Sequence, residues 1–231
     1  MCFSAGASFS AGVVLSSIGI ATLKEAHKPS HKLFATIPLF FAFQQVAEGV
    51  VWISLRPGGD AVFQAAATYL FLLIALVAWP MVIPLSVYKM EEDHSKKRII
   101  RILFGGGVAL SMYYSVCLLK MNVYPQISKF HIQYINDFPE IIGYIAFAVY
   151  AIVTVAPLFI SSVKRMSLFG TLIIFSILIS GVFYKEFLTS VWCFFAALIS
   201  IVVYLIIRES QEEFHMAKLK LLRLFSNLYN G

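Results

Sequence analysis

The chain alternates long apolar runs with short polar connections. The runs are Ala5–Leu23, Leu33–Leu55, Ala61–Tyr88, Ile102–Leu119, Ile141–Ile160, Met166–Tyr184 and Phe187–Ile207. A helix needs about 20 predominantly apolar residues to cross the hydrocarbon core of a bilayer. Backbone groups inside lipid must be hydrogen-bonded within their own segment. The pattern therefore predicts an all-α bundle of seven transmembrane helices, one membrane domain over residues 1–209. The third run exceeds what a crossing needs, which predicts a tilted or kinked helix. Beyond the seventh run, Phe214, Leu221, Phe225 and Leu228 recur on one face with Lys218, Lys220 and Arg223 between them. That spacing predicts a C-terminal amphipathic helix over 210–231, lying in the interface as an anchor.

Composition agrees. Hydrophobic residues make up 60% of the chain and charged residues 13%, against about 25% charged in soluble domains. A soluble fold this apolar would expose large adhesive patches. No basic region precedes the first run and Cys2 has no upstream lipobox, so neither a cleavable signal peptide nor lipoprotein processing is expected. The connections are too short for a separate soluble domain.

Charge predicts orientation. Threaded as seven crossings, fourteen of the eighteen Lys and Arg fall on one side. They are Lys24, Lys28 and Lys32; Lys89, Lys96, Lys97, Arg98 and Arg101; Lys164 and Arg165; and Arg208, Lys218, Lys220 and Arg223. Only Arg56, Lys120, Lys129 and Lys185 fall on the other. Positive short loops stay cytoplasmic, so the N-terminus is expected outside and the C-terminus inside. The net charge of +6 then reflects topology and attraction to anionic lipid; no nucleic-acid partner is called for.

Few residues interrupt the runs. Pro80 and Pro84 fall in the third and Pro157 in the fifth, each able to bend a helix. Gly105-Gly106-Gly107 opens the fourth and suggests close helix contact. Ser4, Ser8, Gly12 and Ser16 form a small-residue stripe along the first, read as packing.

Candidate chemistry concentrates on the second run, Gln44-Gln45-Val46-Ala47-Glu48-Gly49-Val50-Val51-Trp52. Glu48 lies ~10 Å below the outer end of its helix at ~1.5 Å per residue, too deep for its short side chain to reach water. Ionisable groups at such depth face the bundle interior and often mark ion or substrate paths. Gln44 and Trp52 are one turn away on the same face and Gln45 flanks it. No Lys or Arg lies deep in another run. The acid is then either protonated or stabilised by a bound cation or water, unless it serves only as interhelical glue. Cys2 and Ser4 are expected near the same outer level, as are Gln64, Tyr113, Tyr114, Cys117, Trp192 and Cys193, some of them as an aromatic belt.

The opening Met1-Cys2-Phe3-Ser4-Ala5, together with Gln44-Gln45-x-x-Glu48-Gly49-x-x-Trp52, resembles an uncharacterised family of bacterial multi-span membrane proteins. The likeness covers about the first quarter of the chain in detail. It implies which residues belong together, a bacterial inner membrane and no particular activity.

Other chemistry is weak. His27 and His31 are separated by Pro29, and Glu212 and His215 stand at i, i+3; neither makes a metal site. No phosphate loop, paired catalytic carboxylates or Schiff-base lysine is found, so the reading leans away from an enzyme and names no cofactor. The expected function is binding or movement of a small solute or ion through an outward-facing site. Glu48, Gln44, Gln45, Trp52, Cys2 and Ser4 would form that site. A ligand sensor signalling through a cytoplasmic partner and a purely structural membrane protein are the alternatives. A homo-oligomer stays open.

Overall fold

The computed structural model describes residues 4–128, 131–183 and 188–212. Helices dominate. They are α1 (Ala5–Glu25), α2 (Pro29–Ala35), α3 (Ile37–Ser54), α4 (Ala61–Leu72), α5 (Trp79–Met90), α6 (His94–Lys120), α7 (Glu140–Ile160), α8 (Met166–Phe183) and α9 (Leu188–Ile199). A π-helical turn, Leu73–Ala78, joins α4 to α5, and residues 201–212 are again helical. Among the described residues, six helical units are long and apolar enough to cross a membrane: Ala5–Glu25, Pro29–Ser54, Ala61–Met90, His94–Lys120, Ile142–Ile160 and Met166–Phe183. They correspond to the first six runs. In the seventh, α9 is pinched from 201–212 at Ser200, whose N–H and hydroxyl both donate back to the Ala197 carbonyl. Most of the tail expected as an amphipathic helix lies outside the described residues.

The all-α expectation needs correction at one place. Residues Val123–Ser128 and His131–Asn136 form an antiparallel hairpin, β1 and β2, with Val123 opposite Asn136 and Ser128 opposite His131. Gln126 donates to Gln133 across it at 2.9 Å. Its apolar residues come in short groups broken by Gln126, Ser128, His131, Gln133 and Asn136 instead of forming a run. The pairing therefore leaves no mark in a search for crossings, and no strict strand period of two reveals it either.

Helices α1 and α3 pack closely through small residues. A Cβ on Gly12 would come within 2.9 Å of Val46, one on Gly19 within 2.5 Å of Leu39, and one on Gly49 within 2.9 Å of Phe9. This antiparallel register puts Ser8 level with Val50, about half a turn from Glu48.

The long third run is broken where the sequence predicts. Pro80 has no N–H to bond one turn back and its ring crowds that turn, and the chain widens there into the π turn. Donors from neighbours serve the loosened carbonyls. Tyr150 Oη of α7 donates to the Ala75 carbonyl at 2.6 Å, and Ser111 Oγ of α6 to that of Val77 at 2.7 Å. Such rescue is what makes a broken helix tolerable in lipid. Gly107 lets α6 approach: a Cβ there would lie 1.9 Å from the Pro80 carbonyl oxygen.

The basic connections meet at one end of the bundle, away from the hairpin. There Glu91 is 1% exposed. Its Oε1 accepts from the Glu92 and Asp93 amides, and its Oε2 from the Ser162 amide at 2.6 Å. Lys96 Nζ donates to Ser162 Oγ at 2.8 Å. Glu209 meets Lys164 at 3.0 Å and Arg165 at 2.6 Å. Desolvation pulls the Glu91 carboxyl upward, but hydrogen bonds from the Ser162 and Asp93 amides and the Ser161 and Ser162 hydroxyls together hold it below the ordinary glutamate value. A depressed carboxyl contributes stability above its unfolded value and loses it as pH falls through the folded one. Glu91→Ala should therefore cost about 1–3 kcal/mol at neutral pH, the price of stranding buried donors. The cost should shrink as pH drops below the ordinary glutamate range. Thermal melts of both proteins in detergent across pH check this; a difference that does not change with pH would refute it.

Candidate functional site

Helix α3 carries the acid through the middle of the bundle, packed by α1 on one side and α4 on another. Gln44, Gln45 and Glu48 are each 0% exposed and Trp52 is 7% exposed. Burial on successive turns follows from spacing: residues three and four apart share a helix face.

Glu48 Oε1 accepts from Ser190 Oγ of α9 at 2.5 Å. Around that level the buried polar atoms are poorly served. Both Nε2 and Oε1 of Gln45, Nε1 of Trp52, Oγ of Ser8 and Oγ1 of Thr68 find no hydrogen-bond partner among the described residues. Ser8 reaches this level through the α1–α3 register. Thr68 does so on α4, because Ala67 packs with Val51 and Trp52 while Phe71 packs with Ala47. Buried polar atoms in native proteins are almost always satisfied by protein or ordered water. Here the exceptions gather around one carboxyl.

The site is closed at both ends. Toward the basic end, Trp79 Nε1 donates to Gln44 Oε1 at 3.2 Å, and the Trp79 ring lies 4.3 Å from that of Phe41. Beyond this aromatic layer is an apolar cavity of ≈ 40 Å³ lined by Tyr150, Thr154 and Trp192 among others. Toward the other end the hairpin lies across the bundle. Ile132 is fully buried and packs with Ala5, Val51, Trp52 and Ala67. Tyr134 stacks on Phe71 at 4.9 Å. Neighbouring His131 is 7% exposed, and burial holds it below the ordinary histidine range.

The six residues expected to form the site divide. Gln45, Glu48 and Trp52 share the buried face, and Gln44 belongs to its inner edge through Trp79. Ser4 is exposed, and its hydroxyl caps α1 by accepting from the Ala7 amide at 3.2 Å; its neighbour Ala5 belongs to the same buried cluster as Trp52. Cys2 lies outside the described residues. Cys117 is buried on α6.

Sequence reasoning missed Ser190, Thr68 and the hairpin. Ser8 was visible only as part of a packing stripe. The one usable signal for Ser190 was a hydroxyl within an apolar run, and nothing local says which helix it faces.

No curated protein and no solved structure matches the chain. The model of a family of unknown function, DUF6629, matches residues 1–218, and the chain, from its first crossing into its tail, belongs to that family.

Proposed function

We propose that this protein binds or moves a small solute or ion through a site near Glu48. The observation that carries the reading is a fully buried carboxylate in a candidate crossing, ringed by amide, hydroxyl and indole groups that lack partners among the described residues. Each unserved buried group costs about 1–3 kcal/mol, so a guest that bonds to several of them is favoured. Glu48 is the charge or proton carrier. Gln44 and Gln45 are the polar ligands and Trp52 a wall. The described arrangement corresponds to an occluded state: Trp79 and Phe41 close the inner side and Ile132 of the hairpin closes the outer.

The same proposal includes seven crossings, with α9 and 201–212 as the seventh, in a bacterial inner membrane. A helical stretch of about 24 residues spans ~36 Å at 1.5 Å per residue. The end gathering Lys28, Lys96, Lys164 and Arg165 is cytoplasmic, and the hairpin and N-terminus are outside, by the bias of positive residues to the cytoplasm. In a background without native cysteines, Arg56→Cys should react with an impermeant thiol reagent in intact cells and Ser95→Cys should not. The reverse labelling would overturn the orientation.

A second reading is a sensor that signals to a cytoplasmic partner. A cleft of ≈ 590 Å³ at the basic end favours it, where Lys28, His31, Glu92, Lys164 and Ser210 converge from four parts of the chain. The direct test of the leading reading is Glu48→Gln, measured as flux and as titration.

A further inference from the structure

A second cleft, of ≈ 500 Å³, opens at the hairpin end between β1, β2, the π turn, α6 and α7. We infer that it binds an uncharged, flat amphipathic molecule at a site separate from Glu48. The size lies within the roughly 300–1,000 Å³ typical of small-molecule pockets. Its walls are aromatic: Tyr114, Tyr134, Phe138 and Phe147 line it. Aromatic faces pack flat rings in offset or edge-on arrangements.

Among the described residues that line it there is no Lys, Arg, His, Asp or Glu. A charged guest would lose hydration there without a counter-charge, whereas a neutral one would not. A few polar groups remain to orient it. Asn136 accepts from the Phe138 amide through Oδ1 at 3.2 Å, which turns its NH₂ into a donor for a guest at the cleft's edge. The hydroxyls of the two tyrosines add further polar contacts.

Gly143 marks the space on the α7 wall. A Cβ built there meets nothing within 4 Å, although Gly143 lines the cleft. The floor keeps this site apart from the acid. Leu72 and Val123 line the cleft and belong to the same buried cluster as Ala47, and Tyr134, which also lines it, stacks on Phe71 and packs against the cluster that holds Trp52. The cleft's occupant and the guest at Glu48 therefore meet different faces of the same layer.

The test uses the full chain in lipid nanodiscs and a matched pair of photoreactive probes, para-benzoylbenzyl alcohol and para-benzoylbenzoate. They differ mainly in charge. Labelled peptides are read by mass spectrometry. The alcohol should label residues 114–147 saturably, and the carboxylate roughly tenfold less, because burying its charge is unfavourable. Gly143→Trp should fill the cleft and remove the saturable component. Phe147→Ala, which adds no bulk, should weaken it. Gly105→Trp, at a position also open to a Cβ but away from the cleft, should leave it unchanged, and so should Glu48→Gln. Labelling that is unsaturable and spread along all the lipid-facing helices would overturn the inference. So would equal labelling by the two probes, or saturable labelling that survives in both Gly143→Trp and Phe147→Ala.

Discussion

Glu48→Gln is expected to leave the bundle folded and to reduce proton- or cation-dependent flux to the level of empty liposomes. The substitution keeps the side chain's shape, and its carbonyl oxygen can still accept the Ser190 hydroxyl now bound at 2.5 Å. It removes the one property glue does not need, the ability to gain and lose a proton. Interhelical polar bonds in membranes average only about 0.6 kcal/mol, so the melting temperature in detergent should change little. The flux measurement uses proteoliposomes with an internal pH-sensitive dye and an imposed membrane potential, repeated across pH. An infrared titration gives an independent readout: the wild type should show a buried carboxyl that Glu48→Gln lacks. Ser190→Ala removes the donor but leaves the acid, and should retain a pH response. Wild-type flux and pH dependence in Glu48→Gln would eliminate the titrating role and leave Glu48 as a structural contact.

Gly107→Ala is expected to destabilise the protein, while Gly105→Ala, two residues earlier, should be neutral or stabilising. Both changes gain about 1 kcal/mol of helix propensity. At Gly105 the new methyl group meets nothing within 4 Å. At Gly107 it would lie 1.9 Å from the Pro80 carbonyl oxygen and 2.9 Å from its carbon. Backbone cannot swing aside as a side-chain tip can, so α6 must move away from the third span. Overpacking of this kind costs about 1–3 kcal/mol and sometimes more. Moving α6 also threatens the bond from Ser111 to Val77. Melting curves of the two variants in detergent check the contrast. Equal melting would mean that α6 and the proline turn are not in close contact.

These predictions rest on features legible to different degrees. The triple glycine announced close contact, but nothing local distinguished Gly107, which meets Pro80, from Gly105, which faces open space. The prolines announced a break in the third run. They did not announce that Tyr150, 75 residues from Ala75 in sequence, would supply a bond there. Glu48 was conspicuous because an acid inside an apolar run is costly wherever it points. Ser190 was not, because a serine in a transmembrane helix can bond its own backbone one turn back, as Ser16 does with Gly12.

The sequence alone determined the apolar lengths of the crossings, the gathering of basic residues in alternate connections and the burial of Gln44, Gln45, Glu48 and Trp52. Each follows from transfer free energy and helical spacing, which are properties of a single segment. Tertiary structure alone decided that Ile132 of the hairpin packs over Trp52, that Ser190 meets Glu48 and that Glu91 ties two basic connections together. It also brought Tyr114, Tyr134, Phe138 and Phe147 together around one cleft. These are relations between segments, and a hydroxyl, a carboxylate or a short strand is compatible with many partners until packing selects one.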